Sequence, residues 1–209
     1  MPIAFSQGFT PHPKISYASA APTGVGSEAE YLEIGLQAEV DPDEMRVALD
    51  AALSPGLDVL EAVVAGEGSL ADRIDASRWV IELPEVEPAV AGAAVDAFLA
   101  AEEVQVERLT KQGRRSFDAR GAVIRLSMAE QSDPPSGADG APCAIIELVV
   151  RQVTPAVRPD DVLSGLRVVA GLEPPVPSRV TRLAQGTLTT AGDIVDPLDA
   201  DRTSLPSGI

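Results

Sequence analysis

Short runs of alternating apolar and polar residues, interleaved with helical stretches, recur on both sides of Gly66-Glu67-Gly68-Ser69. This interleaving restricts the fold more than any other feature, because each pattern must bury one face against another element. Ahead of the break, Pro13 to Ala21 alternates weakly around Ile15 and Tyr17. Pro22 to Ser27 reads as a turn, and Ala29 to Val40 as a strand. Asp41-Pro42-Asp43-Glu44 is a strong helix start: Asp41 can accept from the first free amides, Pro42 suits the first helical position, and Glu44 closes a capping box. The helix is expected to run to Leu53 with Met45, Ala48, Leu49 and Ala52 on its buried face. Ser54-Pro55-Gly56 stops it, and Leu57 to Val64 reads as the next strand. The order is β-β-α-β. A ferredoxin-like unit is β-α-β-β-α-β, so its first strand and first helix have no counterpart here.

After the break the pattern restarts. Strands are expected at Ser77 to Leu83, Val104 to Leu109, Ala122 to Met128, Ala144 to Gln152 and Arg179 to Ala184. Helices are expected at Glu87 to Ala101, with Val90, Ala94, Val95, Phe98 and Leu99 inward, and at Pro159 to Leu166. Residues 131–142 read as a Pro- and Gly-rich loop. The expected fold is therefore α+β, with two ferredoxin-like halves: residues 1–66, lacking the initial strand and helix, and residues 74–186, with an added strand. Residues 187–209 are acidic, polar and aperiodic, and are expected to be disordered. An incomplete first half would expose an apolar groove and could self-associate through it.

Aromatic residues make up 3% of the 209 residues, so any core must be built from Val, Leu, Ile and Ala. The net charge of −16 argues against general polyanion binding, which draws its affinity from Lys and Arg on phosphates. The charge is uneven, however. Residues 28–103 carry nineteen acids and three bases, whereas residues 108–125 carry six bases and one acid, which leaves room for a local cationic patch. A single cysteine, Cys143, opens an apolar run and reads as a small buried hydrophobe. One cysteine excludes an iron–sulfur cluster or a Cys-based zinc site built by this chain alone, and one histidine excludes a His-rich metal site, so no cofactor is expected. The first thirty residues lack a basic start and an unbroken apolar stretch, and nothing reaches the length of a membrane span. A soluble cytoplasmic protein is expected.

Two constellations could carry function. In Gly8-Phe9-Thr10-Pro11-His12-Pro13-Lys14, two prolines restrict the backbone on either side of the sole histidine. His12 and Lys14 lie two apart, so an extended backbone points both to one side, where they could grip a phosphate or carboxylate. Alternatively, His12 braces the turn through a neighbouring carbonyl, or acts as an acid or base. The second constellation is Arg108, Lys111, Arg114 and Arg115, followed by Asp118 and Arg120, flanking a Gly113 turn. These cations are either solvated or a contact surface for RNA or an acidic partner, and Phe117 is the one aromatic nearby on which a base could stack. No Walker-type loop, dinucleotide fingerprint or nucleophile elbow is present.

The run Ser6 to Ser16, the run Pro22 to Leu32, and the stretches Val106 to Gly113 and Phe117 to Arg120 closely resemble the radical-SAM-linked family of bacterial proteins. Thr10 stands where that family usually has Asn, and Gly26 where it has Glu. The resemblance covers roughly residues 3–185 and implies a further strand and basic helix ahead of the Ser6 to Lys14 loop. It implies association with radical SAM proteins or with genes for a ribonuclease of the E/G type. The expected function is thus a non-catalytic accessory domain. It would bind RNA, or a radical SAM or RNA-processing protein, through Gly8, Phe9, His12, Lys14 and the Arg108–Arg120 hairpin. One alternative is a catalytic role in RNA modification with His12 as acid or base and Asp118 or Arg120 assisting. The other is a structural protein-interaction module using the acidic face.

Overall fold

A computed structural model describes residues 3–111, 113–130 and 141–202. The fold is mixed α+β, and the chain divides into two compact units that differ from the sequence halves. One contains residues 3–20, 30–73 and 197–202; the other contains residues 21–29 and 74–196. The expected loop at 131–142 lies outside the described residues up to position 140.

The larger unit is built on β4 (Ala76–Pro84), which pairs antiparallel with both β8 (Cys143–Arg151) and β9 (Arg179–Leu188). Strand β7 (Val123–Met128) pairs with β8, and β10 (Ile194–Val195) with β9, giving the order β10-β9-β4-β8-β7. The two-residue strand β2 (Gly26–Ser27) runs parallel to β9. Period-two alternation sends Trp79, Ile81 and Leu83 of β4, with Ile146 and Leu148 of β8, into one buried cluster. Helices α2 (Pro88–Ala100) and α3 (Pro159–Ala170) supply Ala91, Ala94, Val95, Phe98, Val162 and Leu166 to the same cluster. In a chain so poor in aromatics, Phe98 is the largest fully buried side chain among the described residues. It lies where Gly165 has no side chain: a Cβ there would meet Phe98 Cε2 at 2.6 Å and Val104 Cγ1 at 3.1 Å. Buried Arg182 stacks over Trp79 at 5.4 Å and donates to Ser27 Oγ, which ties β2 to the sheet.

Between α2 and β7 stands a separate antiparallel hairpin, β5 (Gln105–Thr110) and β6 (Gly113–Asp118). The Arg108–Arg120 hairpin was expected, but no strand was assigned to its return side, which is β6. Its residues Arg114, Arg115 and Ser116 lack apolar alternation, and it is a strand because β5 supplies a ladder partner along its whole length.

The smaller unit is organised by main-chain pairing. Strands β1 (Ile15–Ala18) and β3 (Tyr31–Ile34) are antiparallel, and residues 3–5 run between their ends through the bridges Ile3 to Leu36 and Phe5 to Pro13. Helix α1 (Pro42–Asp50) begins as expected, with the Asp41 carboxylate accepting from the Asp43 and Glu44 amides. Two expectations for this part fail. No residue of α1 is buried, so Met45, Ala48 and Leu49 do not form a core face. Leu57 to Val64, expected as a strand, takes up no regular secondary structure and joins no ladder among the described residues. The smaller unit therefore does not show the β-β-α-β order read from residues 13–64.

The expected disorder from residue 187 is also corrected. Residues 187–188 end β9, β10 follows, and α4 (Asp199–Arg202) is held by ion pairs. Residues 203–209 lie outside the described part. The buried Asp201 carboxylate accepts from Arg73 Nη1 at 2.6 Å and from the Gly66 amide at 3.1 Å, while Arg202 pairs with Glu61 and Asp199. Among the described residues, no helix is long and apolar enough to cross a membrane.

Gly165→Val should destabilise the protein by about 1–3 kcal/mol through overpacking of the α2–α3 seam, measured by urea unfolding. The Arg73 hydrogen bond holds the Asp201 carboxyl below the ordinary carboxylate range, against the opposing effect of burial. A carboxyl lowered in the folded state stabilises above its unfolded pKa, and that stabilisation is lost as pH falls through the folded value. Hydrogen exchange should therefore show the Gly66 amide deprotected on acidification, and deprotected already at neutral pH in Asp201→Ala.

Candidate functional site

The Ser6 to Pro13 loop is closed at its neck by main-chain contacts. The Ser6 amide donates to the His12 carbonyl at 2.8 Å, and the His12 amide donates to Ser6 Oγ at 3.0 Å. Ser6 is therefore the brace, through its hydroxyl and main chain. The His12 imidazole makes no hydrogen bond among the described residues and stands exposed. Gly8, at φ +133°, turns the tip through a conformation that residues with a Cβ rarely adopt, and Phe9 projects from it fully into solvent. Below the neck the Lys14 amide donates to Ala4 O and the Gly35 amide donates to Lys14 O, both at 2.8 Å. The Lys14 stem crosses Gly35 so closely that a Cβ there would meet Lys14 Cβ at 2.9 Å. Gly35 thus sets where the Lys14 ammonium can reach, a role that spacing within the motif does not reveal.

The hairpin sorts its cations into two kinds. Arg108 is drawn inward: its Nε donates to Asp161 Oδ1 at 3.0 Å, its Nη2 pairs with Asp161 Oδ2 and donates to Ala156 O at 2.8 Å, and its guanidinium covers Phe117 at 4.9 Å. Asp161 is the third residue of α3 and also accepts the Arg158 amide at 2.7 Å. Arg108 consequently clamps β5 to the start of α3, and Phe117, buried beneath it, presents no face for stacking a base. The outer cations are different. Lys111 and Arg115 are exposed at the tip, and Arg114 makes a single exposed ion pair with Glu107 at 3.2 Å. Strand register places Arg115 opposite Arg108 and Arg114 opposite exposed Leu109.

Asp118 caps the turn that follows. Its Oδ1 accepts the Val104 and Arg120 amides, and its Oδ2 accepts the Gly121 amide, at 2.8–2.9 Å. Burial works against its charge, but these main-chain donors hold the carboxyl below the ordinary range. Arg120 Nη1 reaches the Val123 carbonyl at 3.3 Å. Both residues are committed to local structure and belong to the larger unit, whereas His12 belongs to the smaller.

One cleft of ≈ 320 Å³ opens between the start of α2 and the end of α3, lined by Glu85, Glu87, Val90, Leu172 and Glu173. Another, of ≈ 180 Å³, is lined by Arg78, Arg125 and Asp193. Neither contains His12, Lys14 or the hairpin tip. Among the described residues, no group of three His, Cys, Asp or Glu side chains could hold a metal ion. Cys143 is buried, as its apolar run suggested.

Asp161 escaped the sequence reading because two acids in a first helical turn look like ordinary helix-start residues. Ser6→Ala should free the His12 amide and raise its hydrogen-exchange rate roughly fivefold, for a hydrogen bond worth about 1 kcal/mol.

A family model described as an uncharacterized protein conserved in bacteria (DUF2344) matches residues 1–159, which takes in the loop and the hairpin and stops at the first residue of α3. No curated protein matches the chain.

Proposed function

The chain belongs to the DUF2344 family, and from that premise we propose that it is a non-catalytic accessory module that binds RNA through its phosphates. The observation that carries this reading is the β5–β6 tip. Lys111, Arg114 and Arg115 project there into solvent, on a protein of net charge −16. A cationic tip on an acidic body favours a polyanion locally and rejects it elsewhere, which suits a small, oriented contact rather than wrapping. The clamp from Arg108 to Asp161 keeps the hairpin base on α3 while leaving its tip free to contact a ligand. In the other unit, Phe9 offers a bare aromatic face and Lys14 a cation at the neck of the same loop, the pairing of stack and charge that single strands use. Recognition by such groups is tolerant of sequence.

The link to a radical SAM or RNA-processing protein belongs to the same proposal. The module would present RNA to such an enzyme, since Cys143 alone cannot hold a cluster. The catalytic alternative has less to support it. The Asp118 oxygens already accept three main-chain donors, and among the described residues no side chain hydrogen-bonds the His12 ring.

Fluorescence anisotropy with a labelled single-stranded RNA over a salt series tests the proposal. The full chain should bind with affinity falling as salt rises. Combined replacement of Lys111, Arg114 and Arg115 by Ala should lower the log–log salt slope by about 2 (about 0.7 per lost phosphate contact). Phe9→Ala should weaken binding by about 1–3 kcal/mol with the slope unchanged. An absence of salt-sensitive binding by the full chain would overturn the RNA reading.

A further inference from the structure

Helix α1 and the segment after it expose aliphatic side chains that no described residue covers. The helix is well started, with Pro42 at its first turn and Asp41 as cap, yet none of its residues is buried. Val47 is 56% exposed on the helix, and Leu57, Leu60 and Val64 are 57%, 79% and 61% exposed along the stretch that follows. That stretch is fixed to the helix: Asp50 Oδ1 accepts the Val59 amide at 2.9 Å, and the Leu53 amide closes onto Leu49 O at 3.0 Å. These aliphatic side chains stand in water within eighteen residues of one pinned element, exposure that a docked partner would relieve.

Charge says what kind of partner fits. Residues 39–61 carry seven acids and one base, Arg46. Asp43, Glu44 and Asp58 are exposed beside the apolar side chains. A second copy of the chain would bring the same acidic rim against itself, a like-charge arrangement that opposes the self-association expected from sequence. A partner with apolar residues along one side and Lys or Arg flanking them satisfies both features, as a basic amphipathic helix does. We propose that α1 and residues 51–64 dock a cationic amphipathic helix of another protein. This surface shares no residue with the hairpin or the loop, so it stands independently of the RNA reading.

A fluorescent peptide of Leu and Lys, patterned to form one amphipathic helix, is the probe; a Leu and Glu peptide of the same pattern is the control. The full chain should bind the Leu/Lys peptide saturably at one site and ignore the Leu/Glu peptide. Val47→Ser with Leu60→Ser keeps every charge and alters only exposed side chains, and should weaken binding at least about tenfold with unchanged thermal unfolding. Equal binding by that variant would show attraction to net charge alone and overturn the proposal. Concentration-dependent dimerisation in sedimentation, abolished by the same pair of substitutions, would also overturn it by assigning the surface to a second copy. Should the pair fail to fold, Leu60→Ser alone carries the same comparison, because Leu60 is the most exposed of the four.

Discussion

The packing of Phe98 against the bare backbone of Gly165 governs how the larger unit can exist with so few aromatic residues. Small aliphatic side chains fill little volume, so two helices on one sheet leave voids unless they approach closely. Gly165 permits that approach, and Phe98 then fills the seam between α2 and α3 down to Val104. Val104 is also where the hairpin begins, and its amide is tied to Asp118 across the hairpin base. The position of α3 therefore fixes the position of Asp161, and Asp161 fixes Arg108. The cationic tip inherits its orientation from a core contact many residues away in sequence.

The smaller unit solves a different problem. Its order comes from main-chain bonds among residues 3–5, β1 and β3, and from the Arg73–Asp201 pair, with Ala18, Leu70 and Pro197 as its buried apolar residues among those described. Hydrogen bonds and ion pairs specify geometry but contribute modest net stability, whereas burial contributes most. A unit so constituted holds the Ser6–Pro13 loop in a defined shape while retaining apolar surface that a partner can cover. Its acidity limits which partner that can be.

How legible this was follows the same division. Patterns that report burial read well in part: β4 and β8 form as expected, and Ala94, Val95 and Phe98 of α2 lie inward, whereas Val90 and Leu99, expected inward with them, are exposed and Ala91 is buried instead. The Asp41 cap was legible too, because capping is local chemistry. Amphipathicity in α1, by contrast, announces a face without saying how deeply it is covered, and the structure leaves Met45 and Leu49 half-buried and Ala48 and Ala52 exposed. Strand β6 and the end of the chain were missed because pairing and ion pairs create order without an apolar signature: Arg114 and Arg115 are strand residues by virtue of β5, and Asp201 is buried by virtue of Arg73. At the site, the motif identified the loop and the hairpin, but not the partners that decide what each residue can do.

Arg108 and Arg115 show why that distinction matters for function. They are the same residue type, face each other across one ladder and share one face of the hairpin. One has a bidentate carboxylate, a carbonyl and a ring beneath it; the other is exposed to solvent. A guanidinium already paired with a buried carboxylate gives up that pairing to meet a phosphate, so it gains little, while an exposed one gains the whole interaction less its hydration. Counting six bases between residues 108 and 125 thus overstates the patch: Arg108 is taken up by Asp161, and the outer cations of the hairpin are the ones left exposed.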